Sequence, residues 1–180
     1  MRRMEEAPSP ALLSIWRFLR RHEPDGFIGA FEGENGERIA GYAIFSASVR
    51  EMQLNALFSG AWLAWAFALA RRPSAVRPRV LLARLANKVS FVRNGGRFRR
   101  RGDAQVINLG VDPAAQNRGC GKALVRAGLA YLRSRGVLEC RLEVRPENAP
   151  AVRVYTATGW LEAGRTRDEQ GEWLVMRANL

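Results

Sequence analysis

Val111-Asp112-Pro113-Ala114-Ala115-Gln116-Asn117-Arg118-Gly119-Cys120-Gly121-Lys122 is the stretch from which the fold can be read. Before it, Ala104–Val111 alternates as a β-strand does, and after it apolar residues recur at helical spacing up to about Arg135. A strand therefore ends, the chain turns at Asp112-Pro113-Ala114-Ala115, and two glycines open a helix. Without side chains at Gly119 and Gly121, backbone N–H groups can approach a ligand closely. The first N–H groups of a helix have no internal partners, and the helix dipole adds positive potential there. Such an end suits a diphosphate.

Three anion-binding loops share these features and are separable by spacing. A Walker loop requires Gly-x-x-x-x-Gly-Lys-Ser/Thr, but Gln116 and Ala123 occupy its first glycine and hydroxyl positions. A dinucleotide fingerprint requires Gly-x-Gly-x-x-Gly, and Leu124 stands at the third glycine. Gln-x-x-Gly-x-Gly remains, with an ordinary tight strand-to-helix turn as the alternative on this stretch alone.

Downstream, Gly136 ends the helix as a left-handed cap. Val137–Val144 predicts a strand with Leu138, Cys140, Leu142 and Val144 on one face and Glu139, Arg141 and Glu143 on the other. A helix from about Ala149 to Thr158 stops at Gly159, and Trp160–Arg165 and Glu172–Arg177 predict a closing hairpin. The second half thus reads β-α-β-α-β-β. Upstream, residues 11–21 place Leu12, Ile15, Trp16 and Leu19 on one helical side, and Gly26–Glu32 and Arg38–Ser48 predict an antiparallel hairpin.

Gln116, Gly119 and Gly121, with the Val111-Asp112-Pro113 strand exit, resemble the acetyl-CoA motif of the GNAT N-acetyltransferases. A second match follows in order: Asn148-x-x-Ala151, Tyr155 four residues on, and Gly159-Trp160 after four more. The resemblance covers Gly26–Val49 loosely and Ala104–Arg177 well. It implies an α/β (α+β) fold in which a mixed, centrally splayed sheet is flanked by helices. It also implies acetyl-CoA as co-substrate and a primary amine as acceptor. The backbone of Gln116, Asn117, Arg118, Gly119, Cys120, Gly121 and Lys122 would cradle the pyrophosphate, Leu109 and Val111 would pair with the pantetheine arm, and Asn148 would complete the cofactor site.

By position Tyr155 takes the role of the family tyrosine that protonates the departing thiolate. A phenol titrates near about pH 10 and so carries its proton at neutral pH. Leu142-Glu143-Val144-Arg145 is similar to the stretch of ribosomal-protein N-terminal acetyltransferases in which the glutamate is the base. Strand parity turns Glu143 away from Leu142 and Val144, toward a cleft. Two simpler readings stay open: a core tyrosine at 155, and at 143 a solvated glutamate paired with Arg141 or Arg145. Arg118, Lys122, Arg126 and Arg153 could meet CoA phosphates or only solvent.

The 180 residues suit one domain with one core. Cys120 and Cys140 form no Cys-x-x-Cys pair and His22 is the single histidine, so neither a zinc site nor a histidine triad is expected. Residues 1–10 lack the apolar core of a secretory signal, which predicts a cytoplasmic protein.

Two departures from the family stand out. Only about twenty-five residues precede the hairpin, enough for one helix where a strand and two helices are usual. Second, residues 50–101 form a basic insertion holding twelve Lys/Arg and one acid, +11 of the chain's +12 net charge. Within it Leu54–Ala70, with Trp62, Trp65 and Phe67, predicts a helix whose apolar run falls short of the ~20 residues that span a bilayer. Val76–Val92 predicts a second helix, and Arg93–Arg101 a basic loop. The block predicts an anionic partner: a membrane surface touched peripherally, or an anionic acceptor. A helix over the acceptor cleft or in a homodimer interface is the plainer reading. No recognisable binding fold supports nucleic acid. The competing function is a non-catalytic CoA-binding module that docks on membrane or nucleic acid through residues 50–101.

Overall fold

Gly33 and Gly36 take φ of 102° and 67°, in the region open to glycine, where β1 (Phe27–Glu32) turns back into β2 (Arg38–Ser46). The computed structural model describes residues 17–33, 36, 38–58, 103–168 and 171–180. Residues 17–22 are helical, in agreement with the end of the first predicted helix. After β2 come α1 (Val49–Phe58), β3 (Gln105–Val111), α2 (Cys120–Ser134), β4 (Glu139–Val144), α3 (Ala149–Thr156), β5 (Leu161–Asp168) and β6 (Gly171–Asn179).

The six strands form one sheet in the order β1-β2-β3-β4-β6-β5. All neighbours are antiparallel except β3 and β4, which α2 joins as a crossover. This central pair is the exception in another way. β4 and β6 stay in register from Glu139↔Asn179 to Val144↔Leu174, whereas β3 and β4 share the single pair Gln105↔Arg141. Past that rung the two middle strands lose their pairing, and the sheet is splayed at its centre.

The core lies on one face, under α2 and α3. Ala43, Phe45, Val106, Cys140, Leu142, Val144, Leu174, Met176 and Ala178 meet Leu124, Val125, Leu129 and Leu132 of α2 and Tyr155 of α3. Register carries the opposite face across the sheet: Gln105 lies beside Arg141, Arg141 beside Arg177, and Glu143 beside Val175.

Two local expectations are corrected. Leu138, grouped with Cys140, Leu142 and Val144 on one strand face, is 72% exposed and lies outside the strand. The Gly136 amide bonds to Arg133 O and the Val137 amide to Leu132 O, so the helix exit presses Val137 onto the core and turns Leu138 outward before β4 begins. The helix expected to start at Leu54 starts at Val49. There the Ser48 hydroxyl caps it by accepting the Glu51 amide at 3.2 Å, and this ends β2 at Ser46.

Asp103 joins the two ends of the basic insertion. Its carboxylate accepts the Arg50 amide and, at 3.3 Å, the Ser48 hydroxyl, while its carbonyl accepts the Val49 amide at 3.3 Å. The chain therefore leaves the sheet and returns to it at one point. The predicted helical stretch beyond Phe58, the second helix Val76–Val92 and the basic loop Arg93–Arg101 lie outside the described residues.

Candidate functional site

The loop between β3 and α2 is braced by its own side chains. Asp112 accepts the Ala114 amide at 2.8 Å and pairs with Arg38 at 3.1 Å. The amide bond and then the guanidinium hold its carboxyl below the ordinary range. The Gln116 carboxamide donates to Val111 O at 3.2 Å, so this side chain ties the loop to the strand it left. Asn117 and Gly119 take left-handed φ of 62° and 87°, and Gly119 caps α2 with no side-chain hydrogen bond.

The glycines test whether a ligand fits. A β-carbon on Gly121 would sit 3.5 Å from Val154 Cγ2 and 3.8 Å from Val111 Cγ2, an ordinary contact distance. At Gly119 it would meet nothing within 4 Å, and only the positive φ asks for glycine. The protein's own packing thus does not require a bare backbone at 121. A diphosphate lying against the open amides of the first turn would favour one.

The other loop residues divide. Arg118 lies 3.8 Å from Glu32 and is mostly exposed, and Lys122 is exposed. Cys120 is half-buried with its sulfur beside Gly41, and burial, then Glu32, push its thiol up. That describes a protonated thiol and not a nucleophile.

Leu109 and Val111 are half-buried and pair through β2 with Ala43 and Gly41. The other edge of β3 faces β4 where their pairing has lapsed, so among the described strands this edge is available for an extended chain.

Asn148 caps α3, its side-chain oxygen accepting the Ala151 amide at 3.3 Å. The helix carries Val154 toward Gly121 and buries Tyr155 to 7% exposure. The Tyr155 ring meets Trp160 edge to face at 5.8 Å, and burial pushes its phenol up to about 12. Loop, Asn148 and Tyr155 are thus brought together on the helical side.

Glu143 is placed elsewhere, on the opposite face of β4. It is half-buried, and desolvation raises its carboxyl, with Arg141 opposing and Asp168 reinforcing the rise. Arg145 is turned away from the simple pairing with Glu143. Its guanidinium lies 3.8 Å over the Trp173 ring and donates to Glu172 O at 3.1 Å. Tyr155 and Glu143 therefore lie on opposite faces of the sheet.

Sequence reasoning missed the Arg38–Asp112 pair, the Arg145–Trp173 stack and the placement of Arg141 at the point where β3 and β4 part. Strand parity was the available signal for Arg141; the other two depend on contacts between distant segments. Among the described residues no group of three His, Cys, Asp or Glu could hold a metal, and no helix is long and apolar enough to cross a membrane.

The profile of the Acetyltransferase (GNAT) family matches residues 2–160. The chain is similar to the mycothiol acetyltransferase of Actinosynnema mirum, 52% identical over 56 residues that cover 31% of this chain and 19% of that protein. It is similar also to that of Amycolatopsis mediterranei, 49% identical over 65 residues, 36% of this chain and 22% of the other. The chain thus spans about a fifth of the length of these curated relatives. Among solved structures it resembles the NatC complex bound to Gag peptide and CoA, with a TM-score of 0.60, 13% identity and coverage of 97% of this chain and 84% of that one. Ard1 from Thermoplasma volcanium gives 0.58, 18%, 98% and 83%. At these identities the two structures attest the fold.

Proposed function

Because this chain belongs to the GNAT acetyltransferase family, we propose that it moves an acetyl group from acetyl-CoA to a primary amine by direct attack. The observation that carries this reading is the glycine-lined opening of α2 beside the parted strands. Gly121 is bare where packing would admit a side chain, and the unpaired edge of β3 runs from that opening toward Gln105. The amides of residues 116–122 would hold the pyrophosphate, and the backbone at Leu109 and Val111 the pantetheine arm.

Starting from an ammonium ion, the acceptor nitrogen sheds two protons, one before attack and one as the amide forms, while the departing sulfur gains one. An ammonium ion has no lone pair, so the acceptor nitrogen must lose its proton before attack. Glu143, half-buried with a raised carboxyl, is suited to take that proton directly or through water. The nitrogen bonds to the thioester carbon, the carbon–sulfur bond breaks, Tyr155 donates its phenolic proton to the sulfur, and the nitrogen's second proton passes through water to restore the tyrosine. Burial keeps that proton in place well into the alkaline range.

The charge of residues 50–101 supports an anionic or membrane-borne acceptor, since those residues hold nearly all the excess positive charge. The matched mycothiol acetyltransferases support a small amine-bearing metabolite as one member of the acceptor panel.

The test is thiol release from acetyl-CoA in the presence of a panel of protein N-termini, amino sugars and small metabolites. Release with at least one amine supports the enzyme. Tight CoA binding by calorimetry with no release for any amine favours the non-catalytic module. Anionic vesicles offered to the same protein, with and without residues 54–92, test the membrane component.

A further inference from the structure

Arg141 sits at the vertex of the splay. Its amide donates to Ala104 O at 3.1 Å and its Cα pairs with Gln105, the last rung between β3 and β4. Strand parity puts its side chain on the face that carries Glu143, two residues and roughly 6–7 Å further along the strand.

The charges around Glu143 can be followed element by element. On β6 its direct neighbour Val175 is apolar, and Arg177, opposite Arg141, pairs with Glu139 at 3.5 Å. Beyond the strand end, Arg145 is held against Trp173 and Glu172. On β3 the same face offers Gln105 and on β2 Ser46, both uncharged. From β5 Asp168 contributes a like charge. Among the described residues, Arg141 is the cation that acts on Glu143 against its burial and against Asp168.

We propose that Arg141 is a positioning residue for acetyl transfer, its guanidinium acting on the Glu143 carboxylate that shares its face of β4, beside the point where β3 and β4 part. This rests on the reading of Glu143 as proton acceptor. Without the guanidinium, burial and Asp168 act unopposed, and the carboxyl gains its proton at higher pH, so the base form is lost earlier as pH falls. The effect is on protonation, so it falls on kcat and its pH dependence and leaves acetyl-CoA affinity alone.

The experiment titrates the full chain with 13C-labelled glutamate carboxyls, the Glu143 signal being identified by its loss in Glu143→Gln. Arg141→Gln moves the Glu143 inflection to higher pH, Asp168→Asn moves it to lower pH, and Arg141→Lys stays close to wild type. The acid limb of the rate with the best amine follows the same order. An unmoved Glu143 inflection in an Arg141→Gln protein that still binds CoA overturns the proposal. If instead Glu143→Gln retains the full rate, the base reading itself has failed, and the role of Arg141 goes with it. Should Arg141→Gln not fold, Arg141→Met keeps the aliphatic stem, removes the charge and is read in the same way.

Discussion

Phe45 of β2 lies across Gly128 of α2 so closely that a β-carbon on Gly128 would fall 2.0 Å from the ring's Cε2. Both residues are buried, and the contact sets the distance between helix and sheet. Since α2 also carries the Gly119–Gly121 turn at its start, this contact bears on where that turn stands relative to the sheet.

Gly128→Ala is therefore destabilising, although alanine is the better helix former. The propensity gain is about 1 kcal/mol, whereas overpacking a tight core site costs about 1–3 kcal/mol or more. At 2.0 Å the ring or the helix must move, so the clash prevails. Urea unfolding should show a lower midpoint with an unchanged slope; a raised midpoint would refute the contact.

Gly121→Ala separates folding from binding. The added methyl group meets Val154 and Val111 at ordinary distances, so stability should stay within about 0.5 kcal/mol of wild type. Calorimetry with CoA should show weakened binding if the proposed pyrophosphate site is right, because the methyl group would crowd a diphosphate lying against the loop backbone. Wild-type affinity in this variant would remove the diphosphate from that place.

Tyr155→Phe keeps the ring against Trp160 and removes only the hydroxyl, the proposed proton donor. We expect kcat to fall by about a hundredfold or more with acetyl-CoA affinity nearly unchanged. In the wild type, burial favours the neutral phenol, so loss of activity through this group sets in only as pH approaches about 12. An alkaline inflection near the ordinary phenol value of about 10 that vanishes in Tyr155→Phe would contradict the buried placement.

Asp112 gives the acid side. Its folded-state carboxyl is held low, first by the Ala114 amide and then by Arg38. Its contribution to stability is therefore present above the unfolded carboxylate range and is lost as pH falls through the folded value. Asp112→Asn keeps the amide contact, loses the ion pair, and should flatten the acid part of the melting-temperature profile. An unchanged slope would mean that the Arg38 pair contributes nothing in solution.

Much of the fold was legible in order and type. The β-α-β-α-β-β succession of the second half, the left-handed Gly136 and the hairpin of β1 and β2 follow from patterns a few residues long. At the candidate site, the two-glycine helix start and the outward parity of Glu143 were legible for the same reason. Leu138 was misplaced because alternation alone cannot tell where a helix exit hands over to a strand. Ser48 was read as strand because its capping role depends on the Glu51 amide and on Asp103, which lies across the insertion.

By itself the sequence determined the local geometry: where backbone can turn left-handed, which helix begins with bare amides, and which residues of a strand share a face. Those properties depend on φ, on missing side chains and on a period of two, all set by neighbours in the chain. Only the tertiary structure decided that β3 and β4 part after one rung, that Tyr155 and Glu143 lie on opposite faces of the sheet, and that Phe45 leaves Gly128 no room. These depend on pairing and packing between segments far apart in sequence, where the available space is set jointly by several elements and by no single stretch.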